Sequence, residues 1–115
     1  MATKMLGADQ PTPIDLFRDR VYTLMAMLPK DKVTTYGDIA ALAGHPYAAR
    51  IVGGIAHGGP VNLPWHRLVN AKGGLAVGFP GGQVAQRQLL QQDGILCDDR
   101  WLVIDFEVHR WRPQL

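Results

Sequence analysis

Apolar residues recur at alternating steps of three and four from Ile14 through Phe17, Val21 and Leu24 to Leu28, and this stripe, closed by Pro29, predicts an amphipathic helix. Its start is written in Thr12-Pro13-Ile14-Asp15: a hydroxyl N-cap, a proline at the first helical position and an acid at the third, resembling a capping box. A second helix is predicted after Thr35-Tyr36-Gly37-Asp38, capped by Thr35, carried by Ile39 to Ala43 and stopped by Gly44. His45-Pro46 restarts the chain into a third helix, Tyr47 to His57. Two short helices across a tight glycine turn form the helix-turn-helix pattern.

Gly58-Gly59-Pro60 breaks the third helix, and Val61 to Asn70 predicts a buried extended segment or tight turn. A glycine-rich loop follows, and Gln83 to Asp93 reads as another helix, anchored by Val84, Leu89 and Leu90 and stopped at Gly94. Leu102, Ile104, Phe106 and Val108 alternate with Val103, Asp105 and Glu107, predicting a half-buried strand. The segment Met1 to Pro11 is polar and without periodicity, which predicts a loose tail over residues 1–11 and one folded domain over 12–115. The expected class is mainly α with short β elements.

Composition narrows the chemistry. A chain of 115 residues, 47% hydrophobic, can bury one core. A net charge of +2 and a pI near 8.9 suit nucleic acid but fall short of a polybasic signature. Cys97 is the only cysteine, so no intramolecular disulfide can form. With no signal-peptide or membrane-span pattern, the expected compartment is the cytoplasm. Neither G-x-x-x-x-G-K-[ST] nor a strand-to-helix G-x-G-x-x-G can be written, so nucleotide hydrolysis has no support. The third helix is rich in small residues, Ala48, Ala49, Gly53, Gly54 and Ala56, with Arg50 as a lone long cation. Such a surface invites close approach, either by another helix or by the backbone of a narrow DNA groove.

Read in order, several segments resemble the O6-alkylguanine-DNA alkyltransferases. Val33-Thr34-Thr35-Tyr36-Gly37-Asp38-Ile39-Ala40 is similar to the family's V-x-T-Y-G-x-I-A, and Ala49-Arg50-Ile51-Val52-Gly53 to its A-R-x-V-G. Pro64-Trp65-His66-Arg67-Leu68-Val69 resembles P-C-H-R-V-V, with tryptophan at the cysteine. Phe79 to Gly82 and Leu89 to Gly94 resemble Y-x-G-G and L-L-x-x-E-G. The likeness runs from about Asp15 to Gly94 and corresponds to the family's C-terminal, DNA-binding domain.

The resemblance implies a single helix-turn-helix, winged-helix-like DNA-binding domain. It implies DNA contacts from Thr34, Thr35, Tyr36, Ala48, Ala49, Arg50, Gly53 and Gly54, with Arg50 filling the space of a flipped-out nucleotide in the minor groove. Tyr36, Trp65, His66, Val69, Phe79 and Asp93 would form the lesion pocket. The family's cysteine is its alkyl acceptor, and an indole has no basic lone pair with which to replace a thiolate. No catalytic residue, metal ligand or cofactor is therefore expected. Two departures accompany the tryptophan: the family's asparagine-proline turn reads Gly59-Pro60, with Asn62 nearby, and its pocket tyrosine reads Phe79.

The function implied is a non-enzymatic sensor of O6-alkylguanine in double-stranded DNA that signals to nucleotide excision repair proteins, a monomer without membrane association, cytoplasmic and nucleoid-associated when on DNA. The alternatives are a transferase using Cys97, a helix-turn-helix transcription regulator and a protein-interaction domain that has lost DNA binding. The cluster His109, Arg110, Trp111, Arg112 lies beyond the resemblance and reads as an exposed aromatic between arginines, placed to touch DNA or a partner, or as a solvated terminal segment.

Overall fold

The first helix, α1, spans Pro13–Met27, and its capping box forms as its sequence dictates: the Asp15 amide donates to Thr12 Oγ1 and the Thr12 amide to Asp15 Oδ2. The computed structural model describes residues 10–114. Of the proposed tail 1–11, residues 1–9 lie outside those described. Phe17, Val21, Leu24 and Leu28 are buried as the stripe requires, and Met25 joins them. Ile14 does not, remaining 46% exposed. The core ends at Phe17, whose ring meets His45 edge-on at 5.4 Å.

Thr34–Thr35 forms β1, and Thr35 caps α2, Tyr36–Leu42, by accepting from the Asp38 amide at 3.0 Å. Gly44 supplies the left-handed turn, φ +99°, that the sequence expected of it. The third helix, α3, is Ala49–His57, two residues shorter than predicted. His45 to Ala48 closes a turn in which the Ala48 amide bonds to the His45 carbonyl, leaving Tyr47 fully exposed.

A single 3-10 turn, Trp65–Arg67, leads into β2, Leu68–Val69, which pairs in parallel with β1, Thr34 opposite Leu68 and Thr35 opposite Val69. This two-stranded ribbon divides two cores. Leu68 belongs to the one shared by α1, α2 and α3, while Val69 faces Val33, Leu75, Leu90, Ile95 and Val103. Adjacent strand residues point to opposite faces, so a ribbon two residues long suffices to separate them.

Helix α4, Gly82–Gln92, buries Leu90 and Gln86, whereas of the other two expected anchors Val84 is 48% exposed and Leu89 only half-buried. Gln86 lies four residues before Leu90 and so shares its face. Its amide holds three strands of chain together, donating to the carbonyls of His66 and Leu68 and accepting from the Ala76 amide.

The strand predicted over Leu102 to Val108 does not form. Only Leu102 and Val103 make isolated bridges, to Gly74 and Cys97, and Phe106–His109 is a short helix, α5. Trp101 and Asp105 both take positive φ, 64° and 55°, so the chain turns on either side of the bridges and period-two alternation cannot propagate. The terminal aromatic is also not a surface feature. Trp111 is 9% exposed, packed into the core of α1 to α3, while Arg110 grips both carboxylate oxygens of Asp38 at 2.8 and 2.9 Å. Val33 is bonded on both sides of this segment, donating to His109 and accepting from Trp111. The C-terminal residues thus brace the start of α2. Among the described residues, no helix is long and apolar enough to cross a membrane.

Candidate nucleic-acid interface

Helix α3 buries Val52 completely and rests Ile55 and Ala56 on the core, which turns Arg50, Ile51, Gly54 and His57 outward. Arg50 and Gly54 are four residues apart and so lie one above the other on the exposed face. The two glycines of this helix differ. A Cβ at Gly53 would sit 3.8 Å from the Tyr36 ring, an ordinary contact, but one at Gly54 would meet nothing within 4 Å. Internal packing gives no reason for a bare backbone at Gly54.

Of the other residues expected at the interface, Ala49 opens α3 and Ala48 is its N-cap, with no side-chain hydrogen bond. Thr35 is 3% exposed and its hydroxyl is engaged in capping α2; Thr34 is fully buried in β1, its hydroxyl without a hydrogen-bond partner. The side chain of Thr34 therefore lies in the interior, not on the face that carries Arg50.

Beside α3 opens a cavity of about 450 Å³, within the ordinary range for small-molecule sites. Tyr36, Trp65, His66 and Phe79, four of the six residues expected there, line it, and Gly53 joins them. Val69 and Asp93 do not. The strand alternation that aims Leu68 at the cavity turns Val69 into the opposite core. Asp93 stands behind the wall, its Oδ2 accepting from His66 Nε2 at 2.6 Å and from Arg67 Nε at 2.9 Å. His57, Val61 and Leu89 also line it, and no motif marks them.

Trp65 is fixed at both ends. Its Nε1 donates to the Pro60 carbonyl at 2.8 Å, and its ring meets Tyr22 edge-on at 6.1 Å. The indole N–H is thus spent, and what faces the cavity is an aromatic surface. The indole also explains the turn that precedes it. A Cβ at Gly59 would lie 2.5 Å from Trp65 Cζ2 and 2.8 Å from Cε2, closer than packed atoms allow, so the tryptophan requires glycine at 59.

Electrostatics hold the wall in place. Burial raises the Asp93 carboxyl, but the hydrogen bonds from His66 and Arg67 and the Arg67 charge outweigh it and keep the group below the usual carboxylate range. Arg67 Nη1 additionally donates to the carbonyls of Leu28 and Pro29, both at 3.1 Å, tying the 3-10 turn to the end of α1. Burial raises the Tyr36 phenol, which remains a neutral donor at physiological pH. Cys97 is remote in kind from this chemistry. It packs against the second core, outside the cavity lining, where burial, with nearby Asp98 and against Arg87, pushes its thiol up and away from the thiolate form.

Comparison with known proteins agrees with this geometry. Residues 16–95 match the family described as 6-O-methylguanine DNA methyltransferase, DNA binding domain. The chain is 43% identical over 112 residues to a DNA base-flipping protein of Escherichia coli, covering 96% of this chain and 85% of that one. It is 35% identical over 85 residues to alkyltransferase-like protein 1 of Schizosaccharomyces pombe, covering 71% and 79%. The crystal structure of S. pombe Atl1 in complex with damaged DNA containing O6-carboxymethylguanine superimposes with a TM-score of 0.77 at 29% identity, over 89% of this chain and all of that one. Sequence, fold and cavity therefore converge, and the chain belongs to the O6-alkylguanine-DNA alkyltransferase family, through that family's DNA-binding domain.

Proposed function

We propose that the protein is a non-enzymatic sensor of O6-alkylguanine in duplex DNA. In this reading α3 enters the minor groove, Arg50 occupies the space of the extruded nucleotide, and the damaged base enters the cavity lined by Tyr36, Trp65, His66 and Phe79. The observation that carries it is Trp65. At the position where the resembled signature has its acceptor cysteine, the cavity holds an aromatic surface whose only polar group is already bonded to Pro60. Such a wall can stack on a base or pack on an alkyl group, and it cannot accept one. The Escherichia coli relative's name and the S. pombe complex with damaged DNA support base flipping and lesion binding. Hand-over of the bound lesion to nucleotide excision repair completes the proposal.

The Asp93–His66 pair survives in this role as a structural clamp. In a transferase such a pair would help take a proton from the thiol; here it orients the cavity wall. Phe79 offers no hydroxyl to the O6 side of a base, which removes one donor from recognition and favours a more permissive, shape-based pocket.

Two measurements test this reading. Titration of guanine and O6-methylguanine duplexes should show tighter binding to the lesion, and intact-mass spectrometry after incubation should show no added methyl. A stoichiometric methyl adduct on Cys97 would overturn the non-enzymatic reading, and equal affinity for both duplexes would overturn lesion sensing. A Gly54→Ala variant separates groove contact from packing. Alanine in a helix interior should stabilise the free protein by about 0.5–1 kcal/mol, because nothing within 4 Å opposes the methyl. DNA affinity should fall in the same variant, since the methyl stands between α3 and the groove. Unchanged affinity would remove Gly54 from the interface.

A further inference from the structure

Resting on the reading above, we infer that His57 makes the cavity selective for O6 substituents that carry a negative charge, such as carboxymethyl, and that this selectivity strengthens as pH falls. The lining contains no aspartate, glutamate, lysine or arginine; its ionisable groups are Tyr36, His57 and His66. These three are not equivalent. The Tyr36 phenol is neutral throughout the physiological range. His66 has its Nε2 bonded to the Asp93 carboxylate at 2.6 Å, so its hydrogen-bonding edge is directed into the wall and not at the contents of the cavity. His57, the last residue of α3, is exposed at the cavity and is engaged in no ion pair among the described residues.

Other charged groups around α3 are turned elsewhere. Arg20 of α1 donates to the Ala43 carbonyl, and Asp38 of α2 is held by Arg110. Arg67 shares Asp93 with His66. On α3 itself the charged residue is Arg50, nearly two turns before His57 and assigned to the groove. Among the described residues of the lining, an imidazolium at position 57 is therefore a cation that faces the cavity with no carboxylate bonded to it. Histidine is the side chain that changes charge between pH 5 and 8. Against a carboxylate in a cavity otherwise lined by apolar and aromatic groups, it forms a charge-assisted hydrogen bond that a neutral alkyl group cannot replace.

The experiment is fluorescence anisotropy on three duplexes, carrying guanine, O6-propylguanine or O6-carboxymethylguanine, at pH 6, 7 and 8 and constant ionic strength. For the wild type, the affinity ratio of carboxymethyl to propyl should rise roughly tenfold from pH 8 to pH 6, the low end of the scale of one charge-assisted bond. His57→Gln should give a low ratio independent of pH, and His57→Arg a high ratio independent of pH. A flat wild-type ratio overturns the inference. So does an equal pH response on all three duplexes, which places His57 on a phosphate, or a response that persists in His57→Gln, which assigns it to His66. Loss of lesion preference on every duplex at every pH would instead overturn the sensor reading on which the inference stands.

Discussion

Asp93→Ala is expected to lower the unfolding free energy by about 3 kcal/mol, the low end of the range for removing one partner from a buried ion pair. Asp93 and Arg67 are 9% and 13% exposed, and the alanine leaves the guanidinium's Nε without an acceptor. Arg67 Nη1 keeps the carbonyls of Leu28 and Pro29, which is why the cost stays at that end. Chemical denaturation measures it directly, and a loss below about 1 kcal/mol would mean that the clamp contributes little. Acid should imitate the substitution. The Asp93 carboxyl is held below the ordinary aspartate value of 3.8 in the folded protein, so its contribution is complete above that pH and disappears as the pH falls through it to the folded value. Asp38, where burial is outweighed by the Arg110 contacts, is lowered too and loses its contribution over the same acid window. Asp93→Ala should therefore flatten part of the wild-type decline in stability below pH 4.

Arg50→Ala is expected to weaken binding to lesion DNA by roughly 1–3 kcal/mol, combining a lost phosphate-facing charge with an extrusion whose vacated space is left unfilled. Stability should hardly change, because Arg50 is exposed and belongs to no ion pair among the described residues. Preference for lesion over undamaged duplex should fall as well, since only the flipped state uses the filler. Tyr36→Phe should cost less total affinity while reducing base extrusion, read from 2-aminopurine fluorescence beside the lesion. Wild-type binding and brightening in both variants would sink the flipping geometry.

Helix starts were legible because capping is local chemistry. Thr12 and Thr35 announce α1 and α2 within four residues each, and both caps form. The order of motifs groups Tyr36, Trp65, His66 and Phe79, and these four line one cavity. What escaped was decided by distant partners. Alternation over Leu102 to Val108 reads as a strand until Trp101 and Asp105 turn the backbone, and Trp111 reads as a surface aromatic until α1 to α3 close over it. Gln86 shares a helix with four other glutamines, Gln83, Gln88, Gln91 and Gln92, and only its place on the Leu90 face distinguishes it. The motif puts Val69 in the pocket, but strand alternation sends it into the second core.

The contact between Gly59 and Trp65 makes two positions a single unit of substitution. With a Cβ at 59, the indole as it is seated here has no room. A side chain introduced at 59 therefore displaces the ring from its bond to the Pro60 carbonyl, and a redesign of this wall has to exchange the two positions together.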